Sequence, residues 1–267
     1  MITGLPRQDI AAHYSCRQAL TAIREDPGSV ERAHAGGDLL AIIDHITRSG
    51  VANLFGVTGS FLVGCFTAHS DIDLVCYGTA GYQAAQELFK RTDLIRPYAG
   101  GDLTRLYLRR AKYMAGSDFD NLIKQEQRKL QGLTTRADAH VNCEPIRSDD
   151  DRTFARTYAK EIGEMTLLAT VTDHTQGLAT PALYQIKVQN ILSSTVDELG
   201  IFTRRITHMR SYLGAYTGAF RAGDTVYITG KLIFFSKRCI RSCMPAVVRP
   251  CCCTPCCTEL TLTVILQ

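Results

Sequence analysis

The sequence predicts an α+β chain in which an α/β first domain precedes a smaller, β-rich second domain. Two observations carry this expectation. Early segments such as LLAIIDHITRSG repeat apolar residues at helical spacing, whereas from Met165 onward the pattern is mostly β: TLLATVTD, ALYQIKVQNIL, RRITHMRSYL and DTVYITGKLIFF. Between the two, composition shifts at Glu144 into the polar stretch EPIRSDDDRTFARTYAKEIGE, which reads as a domain connection. The resulting organisation is a weakly ordered lead-in over 1–37, a first domain over 38–144, a connector over 145–163, a β-rich domain over 164–236 and a cysteine-rich tail over 237–267. A partly closed barrel is the economical form for the β-rich part.

Taken in order, the lead-in is polar, broken at Pro27-Gly28 and Gly36-Gly37, and reads as a short helix or a loosely ordered stretch. Asp38 suits the N-cap of a helix whose Leu39, Ile42, Ile43 and Ile46 share one face, and Gly50 supplies the stop. NLFGVTGS is a short apolar run with a Gly-Ser end, FLVGCF is a second apolar stretch whose N-terminus would add a favourable dipole if it begins a helix, and DIDLVCYG alternates as a strand does before its closing glycine. TAGYQAAQELFKR, LTRLYLRRAKYM and NLIKQEQRKLQ read as helices, and RADAHVNC as a further strand.

Composition bounds what the chain does. A length of 267 residues holds one large domain or two small ones, and a net charge of only +4 makes the molecule no polycation. Any nucleic-acid binding therefore comes from a local patch. No window approaches eighteen uninterrupted apolar residues, and the N-terminal stretch has no apolar core of a signal peptide. The expectation is a cytoplasmic protein with no membrane partner. Of the eleven cysteines, four are scattered and read as small buried hydrophobes, while seven crowd between Cys239 and Cys257. Cys253-x-x-Cys256 and Cys239-x₃-Cys243 have spacings zinc tolerates, but adjacent cysteines cannot all converge on one tetrahedral ion and no histidine lies nearby. A poorly ordered tail is the expectation there.

The chemistry concentrates at Gly59-Ser60 and, eleven residues after Ser60, at Asp71-Ile72-Asp73. In a strand, Asp71 and Asp73 project to one face, and two adjacent carboxylates favour a cation between them. An oxygen-rich pair of this kind suits Mg²⁺ or Mn²⁺ carried with substrate phosphates. Two such ions about 4 Å apart clamp both the attacking and leaving oxygens of an in-line displacement. Glycine permits close approach of phosphate, and the N–H groups and hydroxyl at Gly59-Ser60 are suited to bind its oxygens. Ser70 is either a further phosphate contact or a turn residue, and His69 reads as a loop residue.

Arg105 and Arg109, with Lys112, recur on one helical face and offer either a triphosphate grip or a solvated basic surface. Lys124, Arg128 and Lys129 form a second basic cluster with the same two readings. On its own, Asp-x-Asp is common on exposed strands. The Gly-Ser upstream and the apolar flanks tip the reading toward function.

Gly59-Ser60, a short spacer and Asp71-Ile72-Asp73 in an apolar setting resemble the signature of the DNA-polymerase-β-like nucleotidyltransferase superfamily. The longer string FGVTGSFLVGCFTAHSDIDLVCYG is similar to an uncharacterised archaeal group of predicted nucleotidyltransferases, and the likeness runs over about residues 38 to 236. The resemblance implies a nucleotidyltransferase domain over 38–144, with Gly59 and Ser60 as nucleotide contacts and Asp71 and Asp73 as metal ligands, while Ser70, Arg105 and Arg109 remain nucleotide-contact candidates on the residues alone. It also implies a third carboxylate on a later strand beside the first two. Asp138 in RADAHV is the candidate catalytic and metal-binding residue for that place, and Glu144 the reserve. The implied reaction moves an NMP from an NTP to an acceptor hydroxyl, RNA being one acceptor, with release of pyrophosphate. The alternative is a catalytically silent nucleotide-binding or regulatory module on the same fold. The cysteine-rich tail departs from the family pattern.

Overall fold

In a computed structural model of the chain, the described residues are 7–111, 119–146, 157–196, 206–237 and 258–264. The chain divides into two compact units, residues 1–107 with 130–149, and residues 108–129 with 150–267. Both helices and sheets are present, and among the described residues no helix is long and apolar enough to cross a membrane.

The first unit is built on a five-stranded sheet. Its strands are β1 (Phe55–Val57), β2 (Ile72–Tyr77), β3 (Ile95–Arg96), β4 (Gln131–Thr134) and β5 (His140–Ile146), in the order β1-β2-β5-β4-β3. Only β2 and β5 run parallel; the other pairs are antiparallel. Its helices are α1 (Cys16–Glu25), α2 (Gly36–Arg48), the single turn α3 (Gly59–Leu62), α4 (Gly78–Phe89) and the first part of α5 (Gly101–Ala111).

The predicted stripe on α2 is the core face: Leu39, Ile42, Ile43 and Ile46 are all buried. The stop also forms as expected. Gly50 adopts φ +72°, its N–H bonds the Thr47 carbonyl, and the Val51 N–H reaches back to Ile46. This pair of bonds is the Schellman closure that glycine permits. The start differs from expectation. The helix begins at Gly36, so Asp38 is inside the first turn, buried, with its carboxylate accepting the Ala137 N–H at 2.9 Å. A carboxylate in a first turn is favoured by the helix dipole, and here it also ties α2 to the turn before β5.

The predicted lead-in contributes to the core rather than merely preceding it. Ser15 caps α1 by accepting the Gln18 N–H, and Leu20 and Ile23 are buried where α1 packs on β1. Of the two readings open for the lead-in, the short helix is the one that forms. The scattered Cys76 and Cys143 are buried, as their type suggests, whereas Cys65 is exposed.

The second unit holds α6 (Phe119–Glu126) and the strands β6 (Thr157–Asp173), β7 (Ala182–Ser194), β8 (Ile206–Ser211), β9 (Thr225–Lys237) and β10 (Thr258–Val264). The strands close into a barrel in the order β10-β8-β7-β6-β9, with β9 pairing back to β10. Among the described residues, β8 and β10 are the one parallel pair of this barrel. Alternation fills the interior: Met165, Leu167, Ala169 and Val171 of β6 face Tyr184, Ile186, Val226 and Ile228 in one apolar cluster. Tyr184 is almost fully buried, and its hydroxyl accepts the Ala219 N–H at 3.1 Å and reaches the Tyr216 carbonyl at 2.5 Å. Burial pushes its pKa up to about 12.

Two boundaries move. β6 begins at Thr157, inside the predicted connector, and residues 147–156 lie outside the described residues. β10 lies inside the predicted tail and completes the barrel, while the seven crowded cysteines lie outside the described residues. The basic cluster at Lys124, Arg128 and Lys129 is mostly committed to internal pairs. Arg128 pairs with Asp224 and donates to the Ala219 carbonyl, and Lys129 pairs with Glu126. Only Lys124 keeps an exposed position.

Candidate functional site

The site is assembled where β1 ends and β2 begins. β1 and β2 pair antiparallel up to Val57 and Leu74, and the Thr58 N–H then bonds the Asp73 carbonyl at 2.9 Å. That bond brings the next residue, Gly59, against the Asp73 side chain. Gly59 has φ +63°, and a β-carbon placed on it would stand 2.2 Å from Asp73 Oδ2. The backbone conformation strains any residue with a β-carbon, and one would fit only if the Asp73 side chain moved aside.

The chain after Gly59 is firmly seated. Phe61 is buried and stacks on Phe66, with ring centroids 4.9 Å apart, and the Arg32 guanidinium lies over the Phe66 ring. Ser60 is half-buried, its carbonyl accepting the Cys65 N–H at 3.0 Å. The stretch FLVGCF forms a single turn only, Gly59–Leu62, so a helix dipole there is small. Ser70 takes the turn role, its hydroxyl accepting the Thr67 N–H at 2.8 Å. His69 is an exposed loop residue.

Asp73 is half-buried on β2, between buried Ile72 and Leu74, and Asp71 is exposed one residue before the strand. The period of two turns both carboxylates to one face. This pair fits an ion of the Mg²⁺ type, which commonly takes one or two carboxylates and completes its shell with phosphate oxygens and water. Among the described residues no group of three or more His, Cys, Asp or Glu stands ready to hold an ion without such help.

Asp138 is not on the strand beside the pair, as the sequence led us to expect. It lies in the turn before β5, exposed, with φ +53°, and its carboxylate pairs with Arg96 at 2.9 Å. The alternation of RADAHV pointed to a strand there, but the β4–β5 hairpin turns at these residues, and pairing starts at His140. The reserve residue, Glu144, is exposed on β5 and level with Val75 rather than with either aspartate.

β5 instead sets Asn142 directly opposite Asp73, and the Asn142 Nδ2 donates to Asp73 Oδ1. Ile72 pairs with Val141, which places Asp71 level with His140. His140 Nδ1 is hydrogen-bonded to the Tyr98 hydroxyl. Neither Asn142 nor His140 was marked by the sequence, since only the β2–β5 register reveals them.

The arginine candidates are only partly explained by this arrangement. Arg105 is exposed and pairs with Asp102, which also bonds Arg96 at 2.9 Å. Hydrogen bonds from Arg96 and Arg105 hold the Asp102 carboxyl below the usual carboxylate range. Arg109 is exposed on α5, in the portion counted with the second unit, and Lys112 lies outside the described residues.

Scanning the chain against protein-family models gives no match, and no curated protein or solved structure matches it. The functional reading therefore rests on the residues themselves.

Proposed function

We propose that this protein is a metal-dependent nucleotidyltransferase that moves an NMP from an NTP to an acceptor hydroxyl and releases pyrophosphate. The observation that carries the reading is the contact of Gly59 with Asp73, which sets a side-chain-free, positive-φ backbone beside a carboxylate pair. Such a backbone suits the close approach of phosphate, and the adjacent carboxylates suit its cation. Gly59 and Ser60 hold the triphosphate through backbone N–H groups and the serine hydroxyl. Asp71 and Asp73 hold Mg²⁺ or Mn²⁺, which supplies charge neutralisation at the phosphates when bound. The buried Phe61 and its stack on Phe66 fix this loop in advance, so binding costs little ordering.

RNA as acceptor is supported by the barrel. Five-stranded Greek-key barrels bind single strands on an exposed sheet face, and aromatic rings there stack on bases. Tyr227 on β9 is 68 % exposed although it lies within a strand. It pairs across to Leu168 on β6, and exposed Lys187 on β7 pairs with Thr170 of the same strand. That rests on analogy of fold.

A second reading, a nucleotide-binding or regulatory module without turnover, is favoured by the neutral Asn142 opposite Asp73. The experiment is incubation of the protein with α-phosphate-labelled NTPs, Mg²⁺ and total RNA, beside the Asp71→Ala/Asp73→Ala double variant. Label moved by the wild type alone supports transfer. Nucleotide-dependent stabilisation without transfer supports the second reading, and neither signal overturns both.

A further inference from the structure

We infer that Asn142 stands where the resemblance places a third carboxylate, and that the site consequently holds one divalent ion, the one that arrives with the triphosphate. The inference rests on the metal–nucleotide reading above and adds the ion count and a positioning residue.

The strand beside the carboxylate pair is β5, and its parallel register puts Asn142, not an acid, opposite Asp73. The two side chains face the same way, because Asn142 Nδ2 donates to Asp73 Oδ1. An ionised carboxylate accepts only, so the amide presents its NH₂ group to it. This leaves Asp73 held from both sides: Oδ1 by the Asn142 amide, Oδ2 against the Gly59 α-carbon. The carboxylate is thereby oriented without a metal, which a third acid at the same place would prevent. Two acids so close would repel until cations joined them.

The other carboxylates do not fill the gap. Asp138 is turned to Arg96, and Glu144 is level with Val75. Glu144 lies two residues beyond Asn142 along β5, about 7 Å of rise. Two divalent ions close together need anionic ligands between and around them, and the described residues supply Asp71 and Asp73 without a third acid in contact. One ion shared between these two and the phosphates satisfies the charges present. Asn142 is thus a positioning residue, acting through Asp73.

The test counts ions rather than turnover. Mn²⁺ bound per chain is measured by electron paramagnetic resonance with a saturating α,β-methylene triphosphate analogue, for the wild type, Asn142→Asp and Asn142→Ala. We expect one Mn²⁺ per bound nucleotide in the wild type and in Asn142→Ala, and two in Asn142→Asp. Without nucleotide, Asn142→Asp should also be less heat-stable than the wild type and regain that loss on adding Mn²⁺. Two ions in the wild type would overturn the inference while sustaining the nucleotide site. A count of one in folded Asn142→Asp would show that position 142 is not the missing ligand's place. No nucleotide or ion bound by the wild type would overturn the underlying reading and this inference with it. The wild-type count decides between these outcomes even if Asn142→Asp fails to fold.

Discussion

The α-carbon of Gly59 lies against the carboxylate of Asp73, so closely that a β-carbon would come within 2.2 Å of Oδ2. This contact joins the two halves of the sequence signature. The Thr58–Asp73 backbone bond aligns it, and the positive φ at Gly59 lets the chain leave β1 into α3 without a side chain in the way.

Gly59→Ala should therefore harm both fold and site. The left-handed backbone alone costs about 1–2 kcal/mol for a residue with a β-carbon, and the clash adds to it by displacing the Asp73 side chain. Thermal unfolding should show a lower Tm and loss of the Mg²⁺–NTP shift. An alanine variant that keeps the full shift would show that the Gly59–Asp73 contact is not part of nucleotide binding.

Asp138→Ala separates the sequence expectation from the observed geometry. The side chain is 70 % exposed and bonded to Arg96, in a turn rather than on β5. We expect Mg²⁺–NTP stabilisation at the wild-type level and little change in Tm, since exposed ion pairs contribute little. Loss of ion binding in this variant would restore Asp138 as the third carboxylate.

Arg128 and Asp224 give the second unit a pH-dependent staple. Burial raises the Asp224 pKa, but the hydrogen bonds from Arg128 and the Arg221 N–H outweigh it and leave the carboxyl below its usual value. A carboxyl depressed in the folded state stabilises the fold above its unfolded pKa and loses that contribution as pH falls through the folded one. Asp224→Asn should cost about 1–2 kcal/mol at neutral pH. In thermal melts the gap to the wild type should close as pH falls below about 4. A gap that persists unchanged in acid would assign the loss to packing instead.

Tyr227→Ala tests the barrel as an RNA surface. Stacking on one base is worth about 1–3 kcal/mol, so affinity for single-stranded oligonucleotides should fall roughly fivefold to a hundredfold while Tm stays near wild type. Equal affinity, measured by fluorescence anisotropy at fixed salt, would remove Tyr227 from the acceptor site.

Much of the first unit was legible because local periodicity wrote it. The stripe on α2 and the alternation of β2 are short-range signals, and the Gly-Ser and Asp-x-Asp elements do come together. What was hidden depends on pairing between distant residues. RADAHV alternates like a strand, but the β4–β5 hairpin decides that the turn falls at Asp138 and the strand starts at His140. A shift of this kind changes which side chain meets Asp73, and Asn142 carries no charge or motif to announce it. β10 was obscured by the cysteine-rich stretch before it, although TELTLTV alternates well enough to complete a barrel.

The most direct test of the central claim is thermal unfolding with and without Mg²⁺ and saturating NTP, for the wild type and for Asp71→Asn/Asp73→Asn. A ligand at a hundred times its dissociation constant adds about 2.7 kcal/mol, or roughly 5–10 °C for a chain of this size. The account predicts that shift in the wild type, dependent on Mg²⁺, and none in the double variant. An equal shift in both proteins, or no shift in the wild type, would contradict it.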